Sequence, residues 1–270
     1  MITCKTMTPT ARLGNQMFHI GLLYSVHKKH GYEIVQPNKG EQFWKCFNTG
    51  IKNQQASTRN VYGEQCILSE LENVHQQPDF TAFDGWFQSY IYYKDCRHDY
   101  INFLQFKNEH SDYGNEKIEE IKRRYNLPLV SVHYRRTDYL QQKVEHIHGN
   151  LSKYGYYEQC FRMIQEPVVY LIFSDDMQWC RENVKLPNVE YMDMDEYKSL
   201  YVMSKCNKSI IANSTFSWWG AFLNPNSTVY APDKWNGPLS YKATGNNRCS
   251  NTDYRIPNDW IKVQVNHNTH

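Results

Sequence analysis

Five short apolar runs in the second half of the chain, at residues 129–133, 168–173, 189–192, 209–212 and 228–231, alternate with segments of helical periodicity. The helical segments are expected at 156–164, 177–183, 195–206 and 216–223, with short connections throughout. A nearly all-apolar run such as Val168-Val169-Tyr170-Leu171-Ile172-Phe173 suits a strand covered on both faces. Strand–helix alternation with short loops predicts a doubly wound, mainly parallel α/β sheet.

The polar residues cluster where this architecture would use them. His133-Tyr134-Arg135-Arg136-Thr137-Asp138 follows the first run and Ser174-Asp175-Asp176 the second. Asp193 closes the third, and Asn213-Ser214-Thr215-Phe216-Ser217 the fourth. In open α/β sheets ligands bind outside the carboxyl ends of the strands, so these clusters predict one ligand crevice.

Guanidinium groups bind phosphate through paired, in-plane N–H donors, which makes Arg135-Arg136 a candidate diphosphate site. Consecutive strand residues point to opposite sides. One of the two is therefore expected to face the ligand, and the other to hold the loop by pairing with Asp138 or another carboxylate. The Asn213-to-Ser217 run opens a helix, where free N–H groups and the dipole favour an anion. One Ser or Thr suffices to cap a helix; four hydrogen-bonding side chains within five positions exceed that need. Asp193-Met194-Asp195 spells a D-x-D pattern that could hold a divalent cation, but Asp195 is preferred as a helix N-cap. His133 is expected to orient a ligand or backbone group rather than to titrate.

Residues 1–126 are harder to read. Leu13-Gly14-Asn15-Gln16 forms a turn into a helix whose buried side carries Phe18, Gly21, Leu22 and Tyr24-Ser25-Val26, with Gly31 as its stop. Residues 32–35 read as a strand, 38–108 as short helices and long loops, and 113–125 as a helix. A first domain is expected over 1–126, a second over 127–250, and a tail over 251–270 that packs back. A net charge of +2 with scattered basic residues gives no footprint for nucleic acid. No signal-peptide core or run of about 20 apolar residues occurs, so a cytoplasmic protein without a transmembrane segment is expected. The eight cysteines form no CxxC pair, and several fall in expected helices, where a free thiol packs as a small hydrophobe.

Arg12-Leu13-Gly14-Asn15-Gln16-Met17-Phe18, His133-Tyr134-Arg135-Arg136-Thr137-Asp138-Tyr139, Phe173-Ser174-Asp175-Asp176 and the run from Ile211 through Trp218-Trp219-Gly220-Ala221 resemble, in order, the motifs of the α-1,2-fucosyltransferases of glycosyltransferase family 11. Gly85-Trp86-Phe87-Gln88 resembles a further short element of that family. The resemblance implies a GT-B-type fold, two Rossmann-like halves facing across a cleft, with the donor-binding parallel sheet in the C-terminal half. It implies GDP-β-L-fucose as donor substrate, no cofactor and no metal, and inverting transfer to the 2-hydroxyl of a galactoside acceptor. On this likeness Arg135 holds the β-phosphate, His133 and Asp193 lie near the guanosine, and Ser214, Thr215 and Ser217 bind phosphate. Asn15 approaches the donor from the other domain, and Gly14, Gln16, Arg136, Asp175 and Asn213 join the donor site. Asp138, Glu145, His19 and His146 are the candidate bases. Ala11 and Thr137 stand where the family commonly has glycine. The alternatives are a metal-dependent D-x-D glycosyltransferase with another donor, and a non-catalytic sugar-nucleotide-binding protein.

Overall fold

The computed structural model describes residues 1–65, 70–141, 145, 147–237 and 255–266. His146, Cys66, Cys249 and part of the 251–270 tail lie outside the described residues. The chain divides into two compact units, one of Met1–Lys107 and one beginning at Asn108. No described helix is long and apolar enough to cross a membrane.

The first unit contains β1 (Thr3–Cys4), α1 (Leu13–His30), α2 (Gln42–Cys46), β2 (Phe47–Asn48), β3 (Asn60–Gly63), α3 (Glu70–His75), β4 (Thr81–Asp84), α4 (Arg97–Phe103) and β5 (Gln105–Phe106). Its sheet runs β1-β4-β3, all parallel, while β2 and β5 pair antiparallel. Residues 32–35 form two isolated bridges, Ile2 with Ile34 and Val35 with Lys52, instead of the expected strand. The partner changes after a single residue, so no ladder extends. Helix α1 is buried over almost its whole girth from Leu13 to Val26, with Asn15 and Tyr24 only partly covered. Tyr93 and Tyr100 cover one side: a Cβ on Gly21 would lie 3.1 Å from the Tyr93 ring and 3.2 Å from that of Tyr100. Gly31 ends the helix in the left-handed region at φ 73°, its N–H donating to the His27 carbonyl at 2.7 Å.

The second unit comprises α5 (Asn108–Tyr125), β6 (Leu129–Tyr134), α6 (Tyr156–Met163), β7 (Val169–Ser174), α7 (Met177–Asn183), β8 (Val189–Tyr191), α8 (Glu196–Met203), β9 (Lys208–Ile210), α9 (Thr215–Phe222), β10 (Thr228–Pro232) and β11 (Ile261–Val263). The six strands lie in the order β11-β10-β9-β6-β7-β8 and every pairing is parallel. Side-chain alternation sends Val130, Val132 and Ile172 to one face, where Tyr156, Cys160 and Cys180 cover them. Leu129, Val169 and Leu171 go to the other, against Ile118 and Ile121 of α5 and Val202 and Met203 of α8. That packing places α5 in the second unit and moves the division from the expected 126/127 to 107/108. The chain builds β6, β7 and β8 in one direction, then returns to lay β9 on the other side of β6. The strand order therefore reverses between β6 and β9, the place where such sheets open a ligand crevice.

Candidate active site

Beyond β6 the chain turns into a loop that carboxylates hold on several sides. Asp175, just after β7, accepts from the Arg136 backbone N–H at 2.9 Å and from the Thr137 hydroxyl at 2.5 Å. It also pairs with Arg135 at 3.0 Å, and Asp138 pairs with the same guanidinium at 2.6 Å. Arg136, which like Arg135 lies past the end of β6, takes a different partner. Its Nε donates to Asp176 at 3.1 Å and its guanidinium lies 3.5 Å from the centroid of the Trp179 ring. Asp176 in turn accepts the Trp179 N–H at 3.2 Å and caps α7. Both guanidiniums are thus held by carboxylates, Arg135 by Asp138 and Asp175 and Arg136 by Asp176. Asp138 belongs to Arg135 because the short helical turn at Asp138–Leu140 folds back toward that side.

His133 is buried under this loop, with its ring 5.7 Å from that of Phe216 and no partner for Nδ1 among the described residues. Burial, and secondly the Arg135 charge, push its pKa down to about 3, so the ring is neutral.

Across the switch point, Ser214 occupies the N-cap position of α9 in extended backbone, yet its hydroxyl makes no capping bond. The Ser214 side chain thus does not serve as the acceptor that usually covers a helix N-terminus. Thr215, half-buried, opens the helix. Asn213 and Ser217 are turned into the fold rather than toward a ligand. The Asn213 amide donates to the carbonyls of His148 and Trp235, the latter at 3.0 Å. The Ser217 hydroxyl, in the first turn of α9, donates to the Ala212 and Ser214 carbonyls at 3.4 and 3.3 Å. A polar run after a strand must satisfy its own buried backbone as well as any ligand, and these two side chains do that.

Tyr139 joins the two strand-end loops and was not singled out from the sequence. Its hydroxyl donates to the Asn213 carbonyl at 3.1 Å, its ring stacks on His148 at 4.3 Å, and Arg135 lies 5.4 Å above it. The available signal was its position at the end of the arginine motif.

Asp193 lies at the sheet's outer strand, two strands from β6, and is largely exposed, 3.7 Å from Arg181. Asp195 caps α8 by accepting the Tyr197 and Lys198 N–H groups at 3.1 and 2.9 Å, and its other oxygen pairs with Lys198 at 2.8 Å. Both its oxygens are engaged, which favours the N-cap over a cation ligand. In the first unit, Gln16 is fully buried. Its amide donates to the Thr8 carbonyl at 3.2 Å and to that of Ala11, and accepts the Phe43 N–H at 2.7 Å. Gln16 therefore fixes its own loop instead of offering a free amide. Gly14 is buried at the start of α1, and Asn15 is half-buried with Oδ1 accepting from Gln88 at 3.0 Å. Among the candidate bases, Asp138 is ion-paired, Glu145 is half-buried, and His19 is fully buried in the first unit.

A family model described as glycosyl transferase family 11 matches residues 2–239. O-antigen biosynthesis glycosyltransferase WbnK of Escherichia coli is 37% identical over 121 residues, which cover 41% of this chain and 40% of that protein. Galactoside α-(1,2)-fucosyltransferase 2 of Oryctolagus cuniculus is 25% identical over 249 residues, 84% of this chain and 70% of the relative. An α-1,2-colitosyltransferase of Escherichia coli is 27% identical over 264 residues, covering 83% and 89%. Among solved structures, NodZ α-1,6-fucosyltransferase co-crystallized with GDP superposes with a TM-score of 0.53 at 12% identity, over 83% of this chain and 92% of that one. POFUT1 in complex with GDP-fucose gives 0.51 at 12% identity, over 84% and 94%. These likenesses support the fold, α/β of the GT-B type. With the ordered motifs and the parallel sheet, the match over residues 2–239 shows that the chain belongs to glycosyl transferase family 11.

Proposed function

We propose that the chain is an inverting α-1,2-fucosyltransferase that moves L-fucose from GDP-β-L-fucose to the 2-hydroxyl of a galactoside without a metal ion. The observation that carries this reading is the switch point between β6 and β9, flanked by the Arg135 guanidinium and by the N-terminus of α9. Both are suited to an anion. In the proposed step the acceptor oxygen attacks the anomeric carbon as the bond from that carbon to the β-phosphate oxygen breaks. The pair of electrons leaves with GDP, and the hydroxyl proton passes to a base or to water. Arg135 exchanges part of its pairing with Asp138 for the departing diphosphate, while Arg136 and Asp175 keep the loop in place. Neutral His133 offers a hydrogen bond without adding charge. Names of relatives and the nucleotides bound by the two solved neighbours support the donor and acceptor classes.

The test is a panel of GDP-sugars and galactosides, with product linkage read by NMR and each reaction repeated in EDTA. An α-1,2-linked fucoside formed equally well with chelator is the expected product. Activity abolished by EDTA and restored by Mn²⁺ would favour the D-x-D alternative. The colitosyltransferase relative motivates a second donor, a GDP-colitose, and exclusive use of that donor would replace fucose in the reading.

A further inference from the structure

The Gly85-Trp86-Phe87-Gln88 element is the quoted motif that the donor site leaves unused. It begins directly after β4, at the carboxyl end of the first unit's parallel sheet. A Cβ on Gly85 would lie 2.3 Å from Glu64 Cβ, so glycine alone fits there without displacement. Phe87 sits in the left-handed region at φ 48°, and its ring is fully buried against Phe83 and Tyr92 at 6.1 and 5.7 Å. A bulky residue in that region is strained, and burial of the Phe87 ring offsets the strain.

The consequence falls on Trp86. Its side chain is turned outward and Trp86 remains 47% exposed, while one side rests on the His19 ring at 5.9 Å and an interplanar angle of 23°. His19 is fully buried, and neither ring nitrogen has a hydrogen-bond partner of normal geometry among the described residues. Burial, partly offset by the Gly85 backbone, lowers its pKa to about 4, which keeps this support neutral. Polar groups surround the indole's attachment. Glu64 accepts the Trp86 backbone N–H at 2.8 Å, and Gln88 donates to Asn15 at 3.0 Å. Asp84, at the end of β4, accepts from Thr6 at 3.0 Å and pairs with Lys5 at 3.5 Å.

An exposed indole backed by a rigid ring, with the carboxylates of Glu64 and Asp84 at the ends of β3 and β4 and the amides of Gln88 and Asn15 in the same unit, matches the needs of a neutral pyranose. The apolar C–H face of the sugar stacks on the aromatic ring while its hydroxyls donate to carboxylates and amides. In a β-galactoside the axial 4-hydroxyl leaves C–H bonds at positions 3, 4 and 5 on one face. Two acidic side chains, Glu64 and Asp84, suit a neutral sugar better than a nucleotide diphosphate. We propose that Trp86 is the stacking platform for the acceptor's galactose ring, with Glu64 and Asp84 as ligands to its hydroxyls. This assignment rests on the galactoside reading of the preceding section.

The test compares the full chain with its Trp86→Ala and Trp86→Phe variants, after circular dichroism has shown each to be folded. Acceptor KM is expected to rise about 10-fold or more in Trp86→Ala and to recover largely in Trp86→Phe, with GDP affinity unchanged. Unchanged acceptor KM in Trp86→Ala, or a parallel loss of GDP affinity, would overturn the platform. Absence of turnover by the unsubstituted protein with every GDP-sugar would count against the transferase reading and is distinguishable. In that case saturation-transfer NMR with methyl β-galactoside still decides the matter. Binding that is lost in Trp86→Ala supports the platform; no binding by the unsubstituted chain, or equal binding by the variant, overturns it.

Discussion

At Arg136 the guanidinium lies 3.5 Å from the centre of the Trp179 ring while its Nε reaches Asp176, and the side chain is almost entirely covered. A lysine can carry the charge but cannot stack in plane and hold that carboxylate together. Arg136→Lys is therefore expected to lower stability by roughly 1–3 kcal/mol, read as a shifted urea midpoint. An unchanged midpoint would contradict the anchoring role. The sequence showed two neighbouring arginines at a strand end, but β6 stops at Tyr134, so alternation along the strand does not reach them. Which carboxylate serves which arginine was not legible there. Asp138 is near in sequence to both, and only the turn at Asp138–Leu140 decides that it meets Arg135. The same limit hid the inward bonds of Asn213 and Gln16. A sequence shows an amide but not the carbonyls that fold places within its reach.

Among the elements, α5 shows how packing can outweigh local preference. Gly114 lies within the helix, where alanine would ordinarily gain about 1 kcal/mol. Here a Cβ would stand 2.4 Å from the Tyr201 ring of α8. Overpacking of that kind typically costs about 1–3 kcal/mol, so it wins. Gly114→Ala should lower the thermal midpoint, and a raised midpoint would show that α5 and α8 are not packed this closely. Strand legibility divides along similar lines. Strands β6 and β7 are six residues each with nearly continuous burial, which an apolar run announces. Strands β3 and β4 are four residues each; β3 is mostly exposed, and β4 buries a polar Thr81. Neither alternation nor a long apolar run marks them, so the 38–108 stretch read as loops despite containing part of a parallel sheet.

For the whole molecule, the buried histidines set a pH dependence. His19 and His133 have folded-state pKa values of about 4 and about 3, against 6.5 for an exposed histidine. The unfolded chain therefore binds more protons than the folded one as pH falls below 6.5. The stability they leave intact is full above that value and declines as pH drops toward their folded pKa values. Thermal midpoints measured from pH 8 downward should fall below about pH 6.5, less steeply in His133→Gln. A midpoint that stays level down to pH 4 would show that these rings are not held neutral. The same scale carries the central claim, that the reversal of strand order between β6 and β9 holds a diphosphate against Arg135.

Turnover of GDP-fucose by folded Arg135→Ala, with a galactoside present, tests that claim most directly. A kcat lowered by about 10²–10³-fold is expected, the usual consequence of removing one preorganised donor from a developing oxyanion. Near-normal turnover in the folded variant would contradict it.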